Sequence, residues 1–405
     1  MTAALYRESL LSGRLFGNEV NSNKANKVKF NVSFWIVARK VIYASFLLAS
    51  SCVDPFDIGD IANGESRLVV DGMLTNETKA HSLRISYSSP SLRSYESEPV
   101  TQASVFIEGE NGDRVQLTEE NRGEYFTPPD FAGTVGVAYT LQIQTSENVS
   151  YRSEPEMMRP VAEIDTVFAE IEGKKYISNI GTLLDEHGLQ FYLNTGTGLP
   201  ESNFYRWEWE DTYEIKHPLD SIPETLAPPP TDLLCYQSSR GFQPLLLASS
   251  QNFTQDRIIR QPINFVSKRT YKLQRRYSLL VKQYSLTERA FNFWSDIEEQ
   301  RNISGSLLDP PPTRIFGNIV RDDDPDETVL GYFQVSAVTK KRIFIERDDV
   351  PVEPGGPVQA FSICADENEN EFPVRGADDP NAGPPLFCYD CRFLPGVTTE
   401  RPSFW

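Results

Sequence analysis

From Arg67 onward, apolar residues recur at alternate positions or in short clusters, with Gly, Asn, Asp and Pro between them. That period of two marks half-buried strands joined by turns. It predicts strands over Leu68–Leu74, Ser82–Tyr87, Ala103–Glu108, Val115–Leu117, Gly123–Phe126 and Ala138–Gln144. Short strands at this spacing predict a β-sandwich over 67–160. Within it, Glu110-Asn-Gly-Asp113 is a hairpin signal, because Asn-Gly accepts the positive φ of a tight turn.

Glu154 to Ile164 contains Pro155 and Pro160 and no periodic pattern, which places a domain boundary there. Beyond it, strands are predicted over Ile164–Ile171, Leu189–Leu193, Phe204–Tyr213, Tyr271–Val281, Gly331–Val338 and Arg342–Ile345. Tyr205, Trp207 and Trp209 share one face of their strand, and Arg206, Glu208 and Glu210 share the other. The aromatic stripe reads as core, with a surface platform for stacking carbohydrate as the sharper alternative. One helix is predicted near 286–301: Ser285-x-x-Glu288 is a capping box, Leu286, Ala290, Phe293, Trp294 and Ile297 form an apolar stripe, and Asn302 and Gly305 end it. Pro228–Pro230, Pro310–Pro312 and Pro384-Pro385 mark rigid extended connections. The expected fold class is mainly β: two β-sandwich-like domains, 67–160 and a larger 161–405 carrying the one amphipathic helix.

The region before the strands has a different character. Phe30–Ala38 and Val41–Ala49 are apolar runs split by Arg39-Lys40, and neither approaches the about 20 residues that a membrane-spanning helix needs. Basic residues at 39–40, an apolar run from Val41 to Leu48, and small Ala49, Ser50 and Ser51 before Cys52 are ordered as in a signal peptide. This order resembles a bacterial lipobox, with Ala49 where Leu is usual. The resemblance implies cleavage before Cys52 and lipidation of its thiol. Residues 1–51 are then leader, with a start at Val28 or Val37 giving it a more ordinary length, and 52–66 are a tether bearing Asp54, Asp57 and Asp60.

Charge follows the same division. The net charge is −18, yet the residues before Cys52 hold seven Lys or Arg against two acids, which leaves 32 against 55 in the body. A nucleic-acid partner is excluded, since phosphate binding needs a basic stripe.

Four further cysteines, Cys235, Cys364, Cys388 and Cys391, suit disulfides in an oxidising envelope. Cys388 and Cys391 close a local loop, leaving Cys235 with Cys364, or each reaches back to tie the tail to the body; a four-thiolate zinc site is the alternative. A redox role is disfavoured because Cys388-x-x-Cys391 lies between Pro384-Pro385 and Pro395-Gly396 and does not open a helix. His81, His187 and His217 form no metal motif, and no nucleophile elbow or phosphate loop is present. Asp322–Glu327 resembles a calcium loop but has Glu327 where glycine is needed and Phe333 where the closing acid is needed. No catalytic residue, cofactor or resident metal is therefore expected. Asp165-Thr166-Val167 and Asp220-Ser221-Ile222 resemble a short O-glycosylation motif of Bacteroidota envelope proteins, which makes Thr166 and Ser221 candidate acceptors.

Two family resemblances follow. Val100–Ile143 is similar to the transthyretin-like or carboxypeptidase-regulatory-like sandwich, with its strand, Asn-Gly turn, short strand and Gly-x-Tyr strand; this implies an Ig-like or transthyretin-like first domain. The whole chain from Cys52 to Trp405 resembles the Bacteroidota lipoproteins called domain of unknown function 4249. The resemblance is carried by Arg67–Gly72, Cys235, Asn264-Phe265, Tyr277–Leu286, Phe293-Trp294, Ser304–Leu307, Gly317–Ile319, Gly331–Phe333, Cys388-x-x-Cys391-Arg392 and Pro402–Trp405. It implies an outer-membrane lipoprotein of a kind commonly encoded beside TonB-dependent receptors, with no established biochemical activity; the leading expectation is a non-enzymatic, lipid-anchored accessory protein, at the cell surface or on the periplasmic face, that partners such a receptor in nutrient capture. The rival expectations are an envelope hydrolase acting on glycans, which needs Trp207 and Trp209 in a solvent-facing cleft, and a purely structural envelope module.

Overall fold

Leu68, Val70 and Leu74 are fully buried while Asp71 between them is exposed, so the first strand obeys the alternation of its sequence. The same rule builds most of the molecule. A computed structural model describes residues 66–89, 97–177, 181, 183–197, 203–216, 233–251, 256–268, 270–302, 315–350 and 390–405. The leader, the tether as far as residue 65 with Cys52, and Cys364, Cys388, His217, Ser221 and the three proline-rich connections lie outside the described residues.

The chain runs β1 (Leu68–Thr75), β2 (Ser82–Tyr87), β3 (Glu98–Pro99), β4 (Ser104–Gly109), β5 (Arg114–Asn121), β6 (Glu124–Phe126), β7 (Ala138–Gln144), β8 (Ser150–Ser153) and β9 (Glu156–Met157). It continues through β10 (Ile164–Ile177), β11 (Leu183–Thr195), β12 (Phe204–Ile215), β13 (Cys235–Ser249), β14 (Gln261–Ser267), β15 (Tyr277–Leu286) and helix α1 (Glu288–Arg301). The last elements are β16 (Ile319–Arg321), β17 (Leu330–Ser336), β18 (Val338–Ile345) and β19 (Val397–Thr398). The protein is mainly β, with α1 the one α-helix among the described residues. No helix among them is long and apolar enough to cross a membrane.

The largest sheet has the order β16-β8-β7-β4-β5-β6-β2-β1-β17, with β3 on β2 and β9 on β7. Its two end strands come from residues 319–336, far along the chain from the other strands. The Asn318 side chain joins those ends: its amide donates to Phe333 O at 2.9 Å and its oxygen accepts from Phe333 N at 2.9 Å. The sheet is thereby nearly closed into a barrel around a core that includes Leu68, Val70, Ile85, Val105, Leu141 and Val335 with Tyr125, Tyr139 and Tyr151. The predicted Asn-Gly hairpin is present, with Gly112 at φ +91° and Glu108 opposite Arg114.

β17 carries two cores. Phe333 and Val335 face the barrel interior, and Tyr332 faces a separate cluster with Leu286, Ala290 and Phe293 of the helix end. Its pairing with β1 is parallel and sets Gly331 against Val70. Gly331 has φ +88°, and a Cβ there would stand 1.9 Å from Val70 O, so only glycine allows the close approach.

The remaining strands form a three-stranded sheet, β10-β11-β14, and a five-stranded sheet, β18-β15-β12-β13-β19. They enclose one core, to which Val167, Leu189, Phe191 and Ile263 come from the first and Tyr205, Trp207, Tyr213, Tyr277 and Leu279 from the second.

Two local expectations need correction. Ser285 does not cap the helix, because it still belongs to β15, where its hydroxyl donates to Arg159 O and accepts from Ala337 N. The N-cap is Thr287, whose hydroxyl accepts from Ala290 N. The predicted strand from Tyr271 begins instead at Tyr277, since Tyr271–Leu273 form a 3₁₀ turn. That turn delivers Lys272 to a buried carboxylate described below.

Candidate functional site

β12 lies in the middle of its sheet, and its two faces carry the polar features of the molecule. On the core face Trp207 is 2 % exposed; its Nε1 donates to Gln283 Oε1 at 2.9 Å, and Gln283 Nε2 donates to Ala162 O at 2.6 Å. Trp209 is half-buried against the same core. Tyr205 and Trp207 of the aromatic stripe are thus interior, and Trp209 packs against the same core.

The same face hides an acid. Asp211 is 0 % exposed and accepts from Ser239 Oγ at 2.6 Å, Lys272 Nζ at 2.7 Å and Tyr277 OH at 3.2 Å. Burial, and then the negative charge of Asp211, hold the Tyr277 hydroxyl far above its usual range, so it remains a donor. Every partner of Asp211 is occupied in holding it, which makes the cluster a joint between β12, β13, β15 and the 3₁₀ turn. The sequence contains its signal: Asp211 has the parity of Tyr205, Trp207 and Trp209, an acid on an apolar stripe.

The opposite face of β12 opens into a cleft of about 430 Å³ lined by β1, the start of β2, β12, α1 and β17. Its floor is Arg206, only 7 % exposed although its alternation with Glu208 and Glu210 predicts an outward side chain. The guanidinium lies 4.5 Å from the Trp294 ring centre and 5.4 Å from that of Tyr284. Its Nη2 donates to Glu208 at 2.6 Å, while its Nε is buried without a partner. Glu208 also accepts from Tyr284 OH at 3.1 Å, and Trp294 Nε1 donates to Gln334 Oε1 at 2.9 Å. His81 lies in the wall, its ring against Thr75 Oγ1 at 2.9 Å and its backbone N–H donating to Thr127. Burial, and then the charge of Lys79, push its pKa down to about 4, so His81 is a neutral wall residue. This cleft is the candidate site: it offers directed donors and acceptors around an aromatic.

A second cleft of about 610 Å³ lies at the start of α1. There Glu156, 2 % exposed, accepts from Thr287 OH and from Tyr332 OH at 2.9 Å. Burial raises its pKa. These bonds make Glu156 a clamp on the helix start.

The other residues singled out from sequence fall as follows. Cys235 and Cys391 form a disulfide with Cα atoms 6.0 Å apart across 156 residues, one of the tail-to-body ties left open above. A zinc site using both of these thiolates is thereby removed. The tie is reinforced by β19 on β13 and by Trp405, whose Nε1 donates to Glu214 at 2.6 Å and whose ring meets Tyr236 and Phe344. Thr166 is exposed on β10 and accepts from Asn194 at 2.8 Å. His187 is exposed beside Asp185. The Asp322–Glu327 run is divided between arginines, with Asp322 on Arg152 and Asp323 and Glu327 on Arg321. Among the described residues no group of three His, Cys, Asp or Glu is arranged to hold a metal ion.

A comparison with curated proteins returns no match. A family model does match: that of Domain of unknown function (DUF4249), over residues 53–342. The match stops short of the resemblance read from sequence, leaving Cys388-x-x-Cys391 and Pro402–Trp405 beyond it. It nevertheless covers more than half of the 405 residues, and the chain belongs to the family of domain of unknown function 4249.

Proposed function

We propose that the protein is a lipid-anchored accessory protein of the outer membrane, held through Cys52, that partners a TonB-dependent receptor in nutrient capture and works by binding, without catalysis. The observation that carries this reading is the break at Cys52. A basic and apolar leader ends there in small residues, and the acidic tether and β body follow. Two further observations support it: the family match begins at residue 53, immediately after that cysteine, and the β12 cleft presents hydrogen-bonding side chains around Trp294.

The anchor is tested by radiolabelled lipid incorporation, which is lost in Cys52→Ala if the reading holds; unchanged labelling sinks it. The partner is tested by affinity purification of the tagged protein in mild detergent, which should recover an outer-membrane barrel. Recovery of the protein alone counts against the receptor. A mass shift on the Thr166 or Ser221 peptides would show that the body is also O-glycosylated.

A further inference from the structure

In the β12 cleft, Arg206 is left with unfinished hydrogen bonding. A guanidinium presents five donors in a rigid planar fork. Here one edge is engaged by Glu208 through Nη2, while Nε is buried and unpartnered. An unsatisfied guanidinium donor is unfavourable in a buried setting, which favours an oxygen acceptor beside Arg206. Around it the walls carry charges of both signs, Lys79 with Arg206 and Asp71 with Glu208. Lys79, Asp71 and Ser82 are exposed at the mouth, and Gln334 is in the wall.

That balance discriminates between ligand classes. An anion drawn to Arg206 meets Glu208 on the same guanidinium, in a body that is already strongly acidic. A cation meets Arg206 itself. An apolar ligand leaves Nε unsatisfied and strips water from the other polar groups. A neutral molecule rich in hydroxyls fits, because each hydroxyl both donates and accepts. The volume of about 430 Å³ lies within the about 300–1,000 Å³ of small-molecule sites.

We propose that the cleft binds a neutral polyhydroxylated ligand, a mono- or disaccharide, with one ligand oxygen accepting from the Arg206 guanidinium at the floor and other hydroxyls shared between Glu208, Lys79 and Ser82. This rests on the reading of the protein as a binder, and not on its anchor or its receptor.

The test uses the purified full chain and a panel of glucose, galactose, maltose and lactose, with glucuronate as the anionic and glucosamine as the cationic counterpart. Saturation-transfer NMR reads ligand binding. The ¹⁵N spectrum reads the Arg206 Nε–H resonance, assigned by its loss in Arg206→Lys. A neutral sugar is expected to bind and to shift that resonance, and Arg206→Lys to weaken it about tenfold or more. Because Arg206 also supports the fold, Ser82→Trp serves as a second variant that fills the mouth from an exposed position and should abolish binding. The proposal is overturned if no neutral sugar binds more tightly than about 10 mM, if glucuronate or glucosamine binds better, or if Ser82→Trp leaves binding unchanged. None of these results bears on receptor recovery, so this inference and the receptor proposal fail separately.

Discussion

The barrel-like sheet around β1 and the paired sheets around β12 are both made of mostly antiparallel strands, yet they hide different things. The first buries aliphatic side chains with Tyr125, Tyr139 and Tyr151, pairs β17 on β1, and joins its end strands through the Asn318 side chain. The second buries Tyr205, Trp207, Tyr213 and Tyr277 together with the Asp211–Lys272 ion pair. The tyrosines of the first core are satisfied by nearby backbone, Tyr125 OH donating to Val100 O and Tyr139 OH accepting from Thr134 N, so that core is most easily broken by steric intrusion where β17 approaches β1. The second core satisfies its polar handles with buried side chains, Trp207 on Gln283 and Tyr277 on Asp211, and is most easily broken by orphaning one of them.

Four measurements break or sharpen this contrast. Gly331→Val is expected to have the largest effect, more than about 4 kcal/mol, because a Cβ meets Val70 O at a φ that Val does not adopt. Urea unfolding would reveal it; a loss under 1 kcal/mol would mean that the β1–β17 pairing does not hold the sheet. Asp211→Ala should cost about 3–5 kcal/mol by removing the buried acceptor and counter-charge that Lys272 and Tyr277 share, whereas Asp211→Leu with Lys272→Met should cost clearly less. Equal losses in both would place the stabilisation in the ion pair itself and not in the partnering of buried groups.

The third measurement concerns the lone histidine in the barrel-like half. His81 has a pKa of about 4 in the folded chain against 6.5 for the free group. The unfolded chain therefore binds the extra proton between those values. The stability that neutral His81 represents is complete above pH 6.5 and is lost as pH falls toward 4, by about 3 kcal/mol at most. Comparing unfolding midpoints at several pH values, wild type should show this slope and His81→Gln should lack it. Thr287→Ala should have the smallest effect, about 1 kcal/mol, because it removes the α1 cap and one bond to Glu156. Hydrogen exchange should accelerate in the first turn of α1 alone; acceleration along β17 as well would show that the helix cluster and the barrel core are coupled through Tyr332.

Much of the fold is legible because period and parity are local. Ser82–Tyr87 and Ala138–Gln144 match their predicted bounds, and the Leu286, Ala290, Phe293 stripe is the buried face at the helix. β13 was not legible: its Ser-Ser-Arg-Gly-Phe-Gln-Pro run has no alternation, and it is a strand because β12 and β19 supply partners on both sides. Asp211 was visible as an acid on an aromatic parity, yet its meaning depends on Lys272 arriving from 61 residues away. Arg206 reads as an outward residue of a two-faced strand and is buried because α1 and β1 cover that face.

By itself the sequence determined which residues alternate, where the hairpin at Asn111-Gly112 turns, where the one helix lies, and that a basic leader precedes an acidic body. Those properties depend on φ preferences, side-chain period and charge, all of which act over a few residues. Only the tertiary structure decided that residues 319–336 complete the first sheet, that Cys235 joins Cys391, and that Arg206 floors a cleft with one donor unsatisfied. Each of these depends on which distant segments share a core, and that choice is made by long-range burial and backbone pairing, which leave no local mark in the chain.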